Sequence, residues 1–262
     1  MASTIADRVR AVATLLLPLG LRRWLRAQQR RLNMHHTPVG GVAYGDLRRL
    51  TPISPVFGLD RSLPIIDRYY IEEFLASHAA DIRGRVLEIG DAAYTRRFGS
   101  DRVTRSDVLH YVPGSSEATI VGDLTTADHI PSDRFDCIIL TQTLQMILDV
   151  RAALHHLHRI LKPGGVLLAT SHGISRIARR EGIDPWGEYW HFTTQSTKHL
   201  FGALFPANHL QIVTYGNVLS AAASLYGLAA ADLTSQELDH CDPNFEVIVA
   251  VRAQKPRSGT VS

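Results

Sequence analysis

The sequence predicts an α/β domain built on a largely parallel sheet, and three observations carry that prediction. From Arg85 onward, short apolar runs alternate with stretches of helical periodicity. One run, Phe135–Thr141 (FDCIILT), is apolar almost throughout, as a strand covered on both faces must be. Several runs end at a glycine or an acid, and open α/β sheets bind ligands outside the carboxyl ends of their strands.

The elements follow in chain order. Residues 1–31 hold seven arginines against one acid, Asp7, so this arm carries +6 on a chain of net charge +3 and leaves −3 on the remainder. Residues 5–32 read as a basic amphipathic helix, with Leu15–Leu17, Leu21, Trp24 and Leu25 forming its apolar face. The apolar run Ala11–Leu21 is too short to span a bilayer and contains Pro18; Arg22, Arg23 and Arg26 follow it, not a small-residue cleavage site. Two uses stay open: a solvated helix packed on the body, or a helix lying on an anionic membrane surface or a partner protein. Residues 33–64 are rich in glycine, proline and threonine and read as a wrapped connector. A helix should start with Ser62 as cap and Pro64 in its first turn, and run to about Ala80 with Ile66, Tyr70, Phe74 and Leu75 inward. Connector and capping helix together occupy 33–81, the main domain 82–255 and a tail 256–262.

Strands are expected at Val86–Gly90, Arg102–Asp107, Ala118–Asp123, Phe135–Thr141 and Val166–Thr170, then at Leu210–Tyr215 and Phe245–Arg252 on either side of a helical stretch over 217–230. The helix before the fifth strand buries Ala153, Leu154, Leu157, Ile160 and Leu161. Its other face carries His155, His156 and His158 with Arg151 and Arg159, which reads as a solvated surface and not as a metal site. Lys162-Pro163-Gly164-Gly165 should end this helix.

Composition narrows the function. Hydrophobic residues make up 45% and charged residues 20%, values that exclude disorder. Cys137 and Cys241 are far apart and lack CxxC spacing, which excludes a disulfide framework and a cysteine zinc site and suits a reducing cytoplasm. A body of −3 disfavours nucleic acid as a partner. A glycine after the first strand lets backbone approach a ligand closely. An acid at Asp107, 17 residues after Gly90, could accept from a ribose diol, and Asp123 could accept from an adenine amine. The G-x-G-x-x-G pattern of nicotinamide enzymes is absent, because position 92 is Ala and position 95 is Thr.

Val86-Leu87-Glu88-Ile89-Gly90, Asp107, Gly122-Asp123-Leu124, Phe135-Asp136-Cys137-Ile138-Ile139 and Leu161-Lys162-Pro163-Gly164-Gly165 resemble the successive motifs of class I S-adenosylmethionine-dependent methyltransferases. The resemblance covers about residues 82–172 and continues more loosely to the last strand. It implies a Rossmann-like class I methyltransferase fold: a mostly parallel seven-stranded sheet with an antiparallel last strand. The stretch Asp184–Thr193 (DPWGEYWHFT), together with Pro64–Tyr70 (PIIDRYY), is similar to a bacterial subgroup often encoded beside glycosyltransferases. S-adenosylmethionine is the cofactor that this implies. Glu88 and Gly90 would lie along its methionine part, Asp107 on the ribose, and Asp123 with Leu124 at the adenine; Asp91, Tyr94, Val108 and Thr141 complete the implied cofactor-binding set. The first loop reads Gly90-Asp91-Ala92-Ala93-Tyr94 where the family alternates glycines, so Tyr94 is expected to shape the pocket or narrow it.

Thr141-Gln142-Thr143-Leu144 stands where nucleic-acid amino methylases carry Asn/Asp-Pro-Pro-aromatic, and no Pro-Cys pair is present. The expected acceptor is therefore a small molecule or a glycan-type group, methylated on oxygen, with no metal. A hydroxyl acceptor needs a base. His172, after the fifth strand, and His191, in a cluster with Trp186, Tyr189 and Trp190, are the catalytic candidates. Arg176, Arg179 and Arg180 read as a solvated helix face. The enzyme is expected in the cytoplasm, its basic arm a candidate for peripheral contact at the inner membrane face. The alternative is a non-catalytic methyltransferase-fold module that partners a glycosyltransferase, its cofactor loop obstructed by Tyr94. Deleting residues 1–31 should leave cofactor affinity unchanged in calorimetry and weaken co-flotation with anionic lipid vesicles; loss of cofactor binding would make the arm part of the catalytic fold.

Overall fold

The computed structural model describes residues 18, 21, 24, 41–178 and 187–257. It divides into two compact units, 1–49 and 50–262. In the first, Leu21 and Trp24 are helical and exposed, and a 3-10 turn spans Gly45–Leu47. Pro18, also within the helix expected over 5–32, is not helical, and the rest of that stretch lies outside the described residues. Among the described residues no helix is long and apolar enough to cross a membrane.

The second unit is a seven-stranded sheet with helices on both faces. Its strands are β1 (Gly84–Ile89), β2 (Val103–His110), β3 (Ile120–Val121), β4 (Phe135–Thr141), β5 (Leu161–His172), β6 (Leu210–Tyr215) and β7 (Ile248–Gln254). Their order is β3-β2-β1-β4-β5-β7-β6. β1 through β5 pair in parallel, whereas β7 runs antiparallel to both β5 and β6. The sequence expectation of a mostly parallel sheet with an antiparallel last strand therefore holds.

Alternation along β4 explains why this strand is apolar throughout. Ile138 and Leu140 face a core built with α2 (Val150–Ile160) and α3 (Thr194–Gly202), through Leu154, Leu157 and Phe201. Cys137 and Ile139 point the other way, into a core with Ile71, Phe74 and Leu75 of α1 (Ile66–Ser77). Cys137 is thus a core residue, and burial pushes its thiol well above the usual range. Ile66 and Tyr70 of α1 pack on Ala221 and Ala223 of α4 (Val218–Tyr226) in a third cluster. Asn217 caps α4 with a capping box, and Gly227 closes it in the left-handed conformation. A short α5 (Ser235–Asp239) follows, capped by Thr234.

Four local expectations are corrected. Helix α1 starts at Ile66, not at a Ser62 cap, because Pro64 and Ile65 are held extended against Ala229 and Ala230. Residues 162–165 do not follow a helix end as a free turn: α2 stops at Ile160, Leu161 already pairs with Phe135, and the chain bulges before Val166 meets Cys137. Gly165 fits there since a Cβ would press on the carbonyls of Phe135 and Lys162. His156 is buried, not solvated; Arg159 reaches it and also ties the carbonyls of Ala127 and Ile130. Arg176 lies in non-helical chain, stacked over Phe57 and bonded to the Pro55 carbonyl, whereas Arg179 and Arg180 fall outside the described residues.

Asp67, in the first turn of α1, accepts a hydrogen bond from Ser224 of α4. The residue keeps some exposed surface, yet its carboxylate is enclosed, and burial pushes its pKa up to about 6. The folded state then holds this proton more tightly than the unfolded chain does, so stability falls as pH rises from about 4 to about 6 and stays lower above that. Asp67→Asn should melt higher than wild type at pH 7.5, by about 1–2 kcal/mol, with the gap narrowing to about a third by pH 4.5; thermal melts at both pH values check this.

Candidate functional site

The strand order reverses between β1 and β4, whose connections leave in opposite directions. The crevice this opens at the carboxyl edge holds a cavity of about 650 Å³, within the range of small-ligand sites. Its walls come from the strand ends: Ile89 and Gly90 after β1, His110 and Tyr111 after β2, Asp123 and Leu124 after β3, and Gln142 and Thr143 after β4. Met146, Ile147 and Tyr189 add apolar surface. Gly90 sits at φ +90 with open space where a Cβ would be, so bare backbone faces the cavity. Asp123 caps the 3-10 turn Leu124–His129, accepting from Thr125 N–H at 2.7 Å. Gln142 takes a left-handed φ of +49, and its Nε2 is buried without a hydrogen-bond partner among the described residues. This amide is an uncommitted donor at the cavity wall.

Of the cofactor candidates, Gly90, Asp123 and Leu124 line the cavity. The others stand behind it, for reasons that can be stated. Glu88 is buried and accepts from the N–H groups of Tyr94 (3.1 Å) and Thr95 (2.7 Å), which closes the loop that Gly90 opens. Burial raises its pKa against these bonds. Asp91 is exposed and bonds Ala93 N–H. Tyr94 neither shapes nor narrows the cavity: its ring is buried in the α1 core beside Phe98, and its hydroxyl accepts from Arg68. Val108 is buried within β2, and Thr141 gives way to its neighbour Gln142.

Asp107 is the main correction. Strand β2 runs three residues past it, so the residue at the ligand edge is His110. Asp107 is buried mid-strand, where Arg85 Nε lies at 2.6 Å, Arg105 Nε at 3.5 Å, and Thr119 Oγ1 donates at 3.1 Å. Burial acts to raise its pKa, but the two guanidiniums and the hydroxyl hold it below the usual carboxylate range. The pattern of apolar Val108-Leu109 beyond the acid is the sequence signal for the true strand end.

The histidines occupy a second, adjoining cluster. His172 ends β5 and is buried; the segment 189–193 crosses it, with Phe192 N–H bonded to the His172 carbonyl and the Tyr189 and Trp190 N–H groups to the Gln145 carbonyl. The two imidazoles meet edge to face at 4.6 Å. Between them lies Glu188, whose side chain is 2% exposed; its Oε1 is 2.6 Å from His172 Nε2 and 3.2 Å from His191 Nε2. Burial lowers the His172 pKa, with Glu188 opposing. Neither histidine lines the cavity, but Ala178 and Tyr189 do, and Ala178 N–H donates to Glu188 Oε2 at 2.6 Å. Glu188 was assigned no role from sequence, although it stands inside the quoted DPWGEYWHFT stretch. Tyr189 and Trp190 are exposed, Trp190 Nε1 donates to the Ile147 carbonyl, and Trp186 lies outside the described residues.

Residues 55–212 match a family model described as a methyltransferase domain. A malonyl-[acyl-carrier protein] O-methyltransferase of Prosthecochloris aestuarii is 26% identical over 170 residues, 54% of this chain and 62% of that relative, so the chain spans less than two thirds of its length. Among solved structures, an S-adenosylmethionine-dependent methyltransferase from Archaeoglobus fulgidus aligns with TM-score 0.49 at 13% identity, over 72% of this chain and 94% of that one. Another, from Mesorhizobium loti, aligns with TM-score 0.48 at 16% identity, over 76% and 100%.

If Asp107 is a structural acid, Asp107→Asn should lower the melting temperature yet change affinity for S-adenosylhomocysteine less than threefold. His110→Ala should do the reverse. Melts and calorimetry on the two variants separate the roles.

Proposed function

The chain belongs to the methyltransferase-domain family, and from that premise we propose that it moves a methyl group from S-adenosylmethionine to an oxygen of a small-molecule or glycan-type acceptor. The observation that carries this reading is the cavity at the β1–β4 reversal, with Gly90 backbone, Asp123 and Leu124 on its wall. The sulfonium donor is already activated, so the protein's task is to align donor and acceptor and keep water out. Gly90 admits the methionine portion, and the Gln142 amide offers a donor to its carboxylate. His110 takes the ribose position first given to Asp107, and Asp123 with Leu124 receives the adenine. Glu88, Asp91, Tyr94, Asp107, Val108 and Thr141 support these contacts from behind. Because Tyr94 is packed in the α1 core, the obstruction on which the non-catalytic alternative rested is gone.

Acceptor activation is assigned to His191 and His172, now with Glu188 between them, beside the exposed rings of Tyr189 and Trp190. Transfer to oxygen accords with the O-methyltransferase identity of the Prosthecochloris aestuarii relative. A small acceptor accords with the size of this cavity and with the apolar side chains of Met146, Ile147 and Leu148 on its wall. Calorimetry on the folded chain should show S-adenosylhomocysteine binding at micromolar concentration, weakened at least tenfold in Asp123→Ala. No binding at millimolar cofactor would overturn the reading.

A further inference from the structure

We propose that His172, Glu188 and His191 form a binding site for one divalent transition-metal ion of the zinc class, at the edge of the cofactor cavity. One ligand atom from each side chain, two ring nitrogens and a carboxylate oxygen, all lie within 4.8 Å of one another. Tetrahedral bonds of about 2.1 Å place neighbouring ligand atoms about 3.4 Å apart. The 3.2 Å between His191 Nε2 and Glu188 Oε1 already suits such an ion, and the 2.6 Å to His172 Nε2 needs to open by less than ~1 Å.

Three further observations single out a cation here. First, His191 Nδ1 lies 2.9 Å from the Gly173 carbonyl. A carbonyl only accepts, so Nδ1 is the donor there, and Nε2 is the ring atom turned toward Glu188 Oε1. A backbone carbonyl fixing the far nitrogen is also how metal-bound imidazoles are oriented. Second, His172 Nε2 and Glu188 Oε1 are buried and face each other at 2.6 Å, without the alignment of a good hydrogen bond. Third, Ala178 N–H occupies Glu188 Oε2, which leaves Oε1 as the free ligand. The charge partners of this buried carboxylate among the described residues are the two histidines, with no guanidinium or ammonium shown on it.

Two imidazoles and one carboxylate fill three positions of a tetrahedron and leave the fourth open. The His191 side chain is 37% exposed, which gives an ion a way in. The cluster adjoins the cavity, since Ala178, whose N–H bonds Glu188, and Tyr189, next to Glu188 in the chain, both lie on the cavity wall. Only the consequence rests on the methyl-transfer reading: the ion would draw an acceptor hydroxyl, whose proton passes to solvent water. The oxygen then bonds the methyl carbon while the carbon–sulfur bond breaks and its electron pair stays on sulfur. The ring nitrogens hold the ion in this scheme and do not take the proton themselves.

The test uses the full chain without a histidine tag, stripped by chelator and titrated with Zn²⁺ in a calorimeter, with Co²⁺ as a spectroscopic probe of the ligand set. One equivalent should bind, and Co²⁺ should give the intense visible bands of a tetrahedral site. Glu188→Gln, His172→Ala and His191→Ala should each weaken Zn²⁺ at least tenfold. His155→Ala, outside the cluster, should not. Thermal melts and S-adenosylhomocysteine titration show that each variant is folded, so loss of cofactor binding by wild type would count against the methyltransferase reading alone. Absence of stoichiometric Zn²⁺ binding by folded wild type, or affinity unchanged in the cluster variants, would overturn the site.

Discussion

The pairing of β1 with β4 is the constraint on which the rest of the molecule depends. Val86, Leu87 and Glu88 lie beside Cys137, Ile138 and Ile139, and both strands are covered on both faces. From this pair the chain builds outward twice, through β2 and β3 on one side and β5, β7 and β6 on the other. Connections that diverge cannot close over the strand ends between them, so a crevice is left by topology and not by any local sequence. Gly90, His110, Asp123 and Gln142 stand at that edge because each lies just at or beyond the end of its strand.

Burial of charge separates the structural acids from the others. Glu88 is answered by two backbone N–H groups, Asp107 by two guanidiniums and a hydroxyl, and Asp136 by Lys162 and the Arg85 N–H. Each of these sets fits a carboxylate's acceptor positions with donors that are always protonated. Glu188 is different. Its side chain is as deeply buried as that of Asp107, but beyond the Ala178 N–H its partners among the described residues are two imidazoles, whose ring nitrogens can present either a proton or a lone pair. A carboxylate that needed only a lasting counter-charge would be served better by an arginine, as Asp107 is.

Elements whose signal is periodic along one segment were legible in the sequence. Strand β4, the buried faces of α1 and α2, and β6 follow from period-two or period-3.6 patterns that the core then uses. What failed were boundaries set by a neighbouring strand. Asp107 looks like a strand end because an acid stops an apolar run. It is tolerated mid-strand only because Arg85, two residues before Leu87 on β1, shares its face and reaches across. The same holds for Ser62, a sound cap by residue type, which is overruled by the pairing of Ile65 with Ala229 more than a hundred residues away. Tyr94 was judged by its place in a glycine loop, but loop spacing does not say which face of the sheet a side chain joins.

Glu188 was invisible for a related reason. It lies only three residues before His191, yet sixteen after His172, and nothing in that spacing brings a strand end and a later loop together. The contact is made by main chain: Phe192 N–H on the His172 carbonyl, and Tyr189 and Trp190 N–H on Gln145 just beyond β4. These bonds lay the 189–193 segment across the ends of β4 and β5, so that the cluster adjoins the crevice whose other walls come from β1, β2 and β3. A cavity wall of Gly90 backbone and Asp123, and beside it two histidines with a carboxylate, are therefore both consequences of a single sheet edge. The chemistry on it can be changed by rewriting the crossing segment without disturbing the strands that hold the cofactor.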